Sequence, residues 1–410
     1  MEMKRATKAL LAGAAVTGLI AGAIATPAVA GRSQAPLKGE GKNMKIIANV
    51  GYKSGSDMEF ATIKGRTYAF AGSFAPTTDG GGLHVIDVTN PEKVKEVAWL
   101  KCSVYQNDIQ ISHDNKTVIM AADSAGAPDS CLMVGKKGFM TIDISNPAKP
   151  RPIGIAEIPR GSHNTTAHPT KPFVYNSDSD VGNVRGEIQI WSIKDPAKPK
   201  LVNTVPAVGH SPHDISFNSK GTQAVTAGVD NIELYDTSDP ANPTLQATFQ
   251  CPGCSITHDA KFTPDDKGLI VGDEGGGGLP YPCPGGALYF YQLQGGVAPV
   301  LTGIYEPDEV LMARDSQGGL GSCTSHVFDI SPDGKTLAIS WYTAGTRLLD
   351  ISAMQGASFG DAGNTGGIKE IGYFMPDGGV SWSSKFANGT KYVFSNDTQR
   401  GFDVFRVTGK

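Results

Sequence analysis

The chain has 410 residues, a formal net charge of −4, 40% hydrophobic and only 19% charged residues. That balance describes a folded, near-neutral chain with a sizeable core, and the lack of a basic stripe excludes nucleic acid as a partner. Fifty-one glycines and 26 prolines, with few segments of helical period, point to many short strands joined by tight turns and away from a helical bundle.

Residues 1–30 read as a secretory signal peptide. A basic MEMKRATK precedes the small-residue apolar run ALLAGAAVTGLIAGAIA, and the segment ends at Ala28-Val29-Ala30, a cleavage site of the A-x-A kind. The apolar run is Ala/Gly-rich and near the lower length limit for crossing a bilayer, which argues against an uncleaved anchor. The mature chain is expected to begin at Gly31, with 31–43 a flexible N-terminal segment and 44–410 a single domain. It is expected to be secreted or extracytoplasmic, without a membrane span, either soluble or loosely associated with the cell surface.

One phrase then recurs: GGLHVIDVTNPEKVKEVAWL (81–100), GFMTIDISNPAKPRPIGIAEI (138–158), EIQIWSIKDPAKPKLVNTVPA (187–207) and NIELYDTSDPANPTLQATFQ (231–250). Each reads as a strand, a turn built on Asn-Pro or Asp-Pro, and a second strand. Proline presets φ for the turn, and the Asn or Asp before it closes an Asx-turn on its own backbone. Looser copies follow at 287–306, 345–360 and 401–407. A further strand pair precedes each copy, as in HDISFNSKGTQAVTAG (213–228), so the unit is four strands repeated seven times. The expected fold is all-β: a seven-bladed β-propeller of four-stranded antiparallel blades, whose stacking buries faces that one blade leaves exposed. The last unit stops at its third strand, GFDVFRV, so MKIIANVGY (44–52) is expected to supply the fourth and close the ring.

The phrases at 81–100 and 138–158 resemble the LVIVD repeat of exported bacterial and archaeal propeller proteins. The resemblance covers nearly the whole mature chain, clearest in the first four blades. It implies a propeller in an extracytoplasmic setting and no particular chemistry.

Export makes the six cysteines disulfide candidates. The expected bridges are Cys102–Cys131, Cys251–Cys254 as a local clip, and Cys283–Cys323, the last pinning the long insertions 275–286 and 306–325 over one end of the channel.

Aligning the seven units on their first strands places Met58, Asn107, His163, His213, His258, His326 and Trp382 at one leading position. Half of the eight histidines thus share one repeat phase in four consecutive blades. In a propeller the first strand of each blade borders the central channel, so these imidazoles are expected to converge near the axis. Neutral imidazole is the commonest metal ligand and suits iron, copper and zinc. His163, His213, His258 and His326 are therefore the candidate ligands of a transition-metal cofactor, with iron or copper favoured and manganese or zinc as alternatives. Asp214, Asp259 and Asp273 are candidate carboxylates to orient them, and Glu274 is the candidate general base. Asp123, Asp178, Asp180 and Asp397 also end strands at this face. His210 falls in a loop beside the site, while His84, His113 and His168 lie off the phase.

This ligand set is similar to that of carotenoid cleavage oxygenases, whose four axial histidines hold a non-haem iron, and of the selenium-binding and methanethiol oxidase propellers. The similarity implies the same four ligands and nothing further. The first functional reading of such a centre is a metal-dependent oxidoreductase acting on a small-molecule substrate at the axial mouth. A metal-dependent lyase or hydrolase is the second reading. The third is a non-enzymatic binding or scaffold propeller, in which the histidines join structural networks as in WD-repeat blades.

Overall fold

A computed structural model describes residues 34–74, 81–126, 131–177, 186–210, 212–275, 286–308, 323–355, 367–387 and 389–409. The expected signal peptide lies outside them. Seven antiparallel sheets follow one another along the chain, and in five of them strand order is sequence order. Their inner strands are Gly55–Ile63, Ile109–Ile111, Asn164–Ala167, Asp214–Phe217, Thr257–Phe262, Phe328–Ile330 and Ser381–Lys385. The chain is a seven-bladed β-propeller.

The sixth and seventh blades each take a strand from the N-terminal segment, and the seventh shows the closure. Its fourth strand is Met44–Gly51, paired antiparallel with Gly401–Val407 from Met44 opposite Val407 to Gly51 opposite Gly401. This pairing removes the two edges an open ring would expose. The expected flexible segment 31–43 needs correction over part of its length. Gly39–Lys42 forms a strand on Lys369–Pro376, making the sixth blade five-stranded. The physical reason is that the outer strand of that blade has unpaired backbone groups, which a neighbouring extended segment satisfies.

The repeated phrase builds the outer hairpin of each blade. Asn90, Asn146, Asp195 and Asp239 each accept a hydrogen bond from the backbone N–H two residues on, at 3.1, 3.3, 3.1 and 3.1 Å. The Asp earlier in the phrase caps the same turn: Asp87, Asp143 and Asp236 accept from Thr89, Ser145 and Ser238. In all seven blades the third and fourth strands slip register by one residue, for example between Val85 and Ile86 and between Leu234 and Tyr235. A bulge at that place adds the local twist each blade needs to lie against the next.

Between blades the alternating apolar residues meet in clusters, and one cluster lies at each of the seven interfaces. Phe70, Val85, Val118 and Met140 join the first two blades, Phe290, Phe328 and Trp341 the fifth and sixth, and Leu348, Phe374, Val393 and Phe405 the sixth and seventh. The core is therefore a ring of interfaces around a polar axis. Two disulfides fasten loops to it, Cys102–Cys131 and Cys251–Cys254, both as expected. The third expected bridge involves Cys283, which lies outside the described residues together with most of both insertions. No described cysteine is free.

Candidate metal centre

Backbone hydrogen bonds to the second strand of each blade set the height of the histidines. His163 N donates to Ser177 O at 2.9 Å, His213 N to Ala227 O at 2.7 Å and His326 N to Ser340 O at 2.9 Å. His258 lies one residue inside its strand, where a register shift between Thr257 and Asp259 turns its side chain. The turn before His163 requires Gly161: at φ +99° a Cβ there would lie 2.5 Å from Asp123 O.

The four imidazoles form one row. Ring centroids are 4.3 Å apart for His163 and His213, 3.9 Å for His213 and His258, and 4.2 Å for His258 and His326. Glu274 stands against the far half of the row, with carboxylate oxygens 3.7 Å from His258 Nε2 and 3.8 Å from His326 Nε2. Ligand atoms of His213, His258 and Glu274 all lie within 4.8 Å of one another, so these three buried groups can share one metal ion. His163 and His326 flank that trio, and His163 Nε2 is 2.8 Å from His213 Nε2.

Outer partners orient the two flanking rings. Asp123 Oδ2 lies 2.9 Å from His163 Nδ1, and Trp382 O lies 2.7 Å from His326 Nδ1. A proton on Nδ1 in each case leaves Nε2 as the lone-pair nitrogen facing its neighbour. The Nε2–Nε2 contact then requires His213 to donate its Nε2 proton to His163, and Nδ1 of His213 becomes a bare acceptor. That atom, like Nδ1 of His258, is buried without a hydrogen-bond partner. Leaving such groups unmade is costly, and a metal ion is one way to satisfy them.

The electrostatics suit a cation. Burial, with the neighbouring imidazoles adding to it, holds His213 and His258 well below the usual histidine range; burial pushes His326 down to about 3. All three rings are thus neutral at physiological pH, the form that binds metal. Burial raises the Glu274 carboxyl to about 8, although Tyr342 donates a hydrogen bond to it at 2.5 Å.

Three expected orienting carboxylates act elsewhere. Asp214 accepts from the N–H of Ile215, Asp259 pairs with Lys261, and Asp273 accepts from the N–H groups of Ser255 and Ile256. Successive strand residues point to opposite faces, so an aspartate directly after a ligand histidine does not reach its ring. Asp273 instead ties the loop that leads into His258. Asp397 likewise caps the turn at Gln399 and Arg400, and Asp178 and Asp180 lie outside the described residues. Gln106, whose Nε2 is 2.8 Å from His163 Nε2, and Tyr342 were not legible as site residues, since neither stands at the histidine phase. His210 faces Asp230 at 3.2 Å, and His168 Nε2 meets Gly221 O at 3.0 Å; neither joins the row.

Below the row lies an axial cavity of about 310 Å³ lined by residues of all seven inner strands. His213, His258, His326, Gln106 and Trp382 form its histidine end. Further along come Asp57, Glu59, Asp108, Asp214, Asp329, Lys261 and Lys385, and then Phe217, Phe262 and Ile330. Lys385 pairs with Asp57 at 3.2 Å and Glu59 at 2.6 Å. Burial raises the carboxyls of Glu59 and Asp329, lifts Asp108 well above its ordinary range and takes Asp214 to about 7.

Among known proteins, the family model for the LVIVD repeat matches residues 131–156, the second blade's turn and outer hairpin. No curated protein matches the chain. Of solved structures, a functionally unknown protein from Desulfotomaculum acetoxidans DSM 771 is similar at 15% identity and a TM-score of 0.53, covering 77% of this chain and 88% of its own. The β-propeller domain of Cps50 (Swd1) from Myceliophteria thermophila is similar at 10% identity and a TM-score of 0.59, covering 89% and 100%. At these identities the likeness is one of fold. Among the described residues no helix is long and apolar enough to cross a membrane.

Proposed function

We propose that this LVIVD-repeat β-propeller is an exported metal-dependent oxidoreductase whose metal sits on the axis, held by His213, His258 and Glu274 and flanked by His163 and His326. The observation that carries the reading is the pair of buried, unpartnered Nδ1 atoms within a row of neutral imidazoles. A purely structural histidine network is expected to satisfy its buried ring nitrogens; this one leaves two without a hydrogen-bond partner. Iron or copper bound there would supply one-electron redox chemistry, and manganese or zinc Lewis acidity of use to a lyase or hydrolase.

The chain's own residues would do the rest. Asp123 and the Trp382 carbonyl fix the tautomers of His163 and His326. Tyr342 holds the Glu274 carboxyl, and at neutral pH that carboxyl carries a proton which it can give up. The cavity beneath the row is where a small substrate would lie. Disulfides at Cys102–Cys131 and Cys251–Cys254 support an extracytoplasmic setting.

Elemental analysis of untagged protein, purified after growth with iron, copper, manganese and zinc, tests the proposal. About one equivalent of a transition metal is expected, lost in His258→Ala; less than about 0.2 equivalents of every metal in the parent protein would overturn the reading.

A further inference from the structure

The cavity walls change character along the axis, and the change follows the repeat. At the leading position stand the imidazoles. One to three residues further along the inner strands stand Asp108, Asp214, Lys261, Asp329 and Lys385, and at four residues further Phe217, Phe262 and Ile330. Four strand residues span roughly 13 Å, so the three layers fit within the length of a small organic molecule.

The middle layer is unbalanced. Five cavity-lining carboxylates face two ammonium groups, and both ammonium groups are already engaged: Lys385 by Asp57 and Glu59, Lys261 by Asp259. Asp108, Asp214 and Asp329 have no ion-pair partner among the described residues. Each spends one oxygen on a backbone N–H, from Thr165, Ile215 and Phe386. Asp108 is only 8% exposed. Asp108 lies near enough to Asp57 and Asp214 for their charges to oppose its own, and a cation placed beside them relieves that cost. The histidine end of the same cavity also points to a ligand, since His258 lines it with a buried Nδ1 atom that has no hydrogen-bond partner.

We infer that the substrate of this site is a small organic ammonium: its charged nitrogen sits beside Asp108 and Asp214, next to the metal end, and its apolar tail runs past Asp329 toward Phe217, Phe262 and Ile330. The inference rests on the proposed metal centre for the meaning of "substrate". The cation preference itself stands on the cavity alone. An anion meets an excess of carboxylate here, and a neutral alcohol of the same shape fills the apolar layer but gains nothing from the middle one.

The test is calorimetric titration of the full-length mature protein with hexylammonium, hexanol and hexanoate, which share a length and differ in charge. It is run on metal-free and on zinc-loaded protein. Hexylammonium is expected to bind at least about tenfold more tightly than hexanol, with hexanoate weakest, in both forms. Asp108→Asn should weaken the amine several-fold and leave hexanol unchanged. Because Asp108 also holds the Thr165 N–H, Asp214→Asn serves as the second variant: its carboxylate bonds only the N–H of its chain neighbour Ile215 among the described residues, and the same loss of amine selectivity is expected. Equal affinity for amine and alcohol, or amine affinity unchanged in both variants, overturns the inference whatever the metal content. Amine selectivity in a protein that takes up no metal upholds the cation cavity and leaves only the metal reading refuted.

Discussion

Glu274 makes the metal centre testable through its proton. Its carboxyl, raised to about 8 by burial, is about nine-tenths protonated at pH 7, and it must ionise to bind a cation. The three buried histidines are held below the usual range and have no proton to lose at that pH. Zinc binding at pH 7 should therefore release about 0.9 proton, nearly all from one carboxyl, and only about 0.1 at pH 9. Between pH 6 and 8 the ionised fraction of that carboxyl rises from about 1% to about 50%, so apparent affinity should climb roughly 50-fold. A surface histidine site behaves in the opposite way, flattening above about pH 7 once its imidazoles are neutral. The assay is zinc titration by calorimetry in buffers of differing ionisation enthalpy, with Glu274→Gln as the control. Release of under about 0.3 proton at pH 7, or equal release from Glu274→Gln, would refute the assignment of Glu274 as a ligand.

Three further outcomes are expected. Asp123→Ala should lower zinc affinity about 10- to 100-fold by freeing the His163 ring, whose Nε2 sets the tautomer of the ligand His213, with little change in the urea midpoint of the metal-free protein; unchanged affinity would remove Asp123 from the centre. His326 is neutral in the fold down to about pH 3, whereas an unfolded histidine takes up a proton near 6.5; its depressed value therefore costs stability as pH falls below 6.5. Between pH 6.5 and 5 that contribution is roughly 2 kcal/mol, so metal-free His326→Gln should lose less stability over this interval than the parent, and parallel losses would contradict the burial argument. Replacing both Cys102 and Cys131 with alanine should cost about 3–4 kcal/mol, from a sequence separation of 29, read as a lower denaturant midpoint; a loss under about 1 kcal/mol would show the loop to be ordered without the bridge.

The scaffold was legible because it is built from local rules used seven times. An Asn or Asp before proline makes an Asx-turn wherever it falls, alternating apolar residues make a two-sided strand, and repetition turns four strands into a ring. The missing fourth strand of the last unit even located its replacement at 44–52. The histidine phase was legible for the same reason, since a position that recurs in the repeat recurs in space.

What surrounds the histidines was not legible. Asp214 and Asp259 stand beside ligands in sequence, yet the pleat turns them to the lysine layer, while Asp123 reaches His163 from 40 residues away. Tyr342 meets Glu274 across 68 residues. By itself the sequence determined the blades, the closure and the axial height of the four imidazoles, because these follow from periodicity. Only the tertiary structure decided which nitrogens are left without partners and which carboxylates face the cavity without a counter-charge, because blade-to-blade packing and a bulge or pleat reversal turn each side chain toward the axis or away from it.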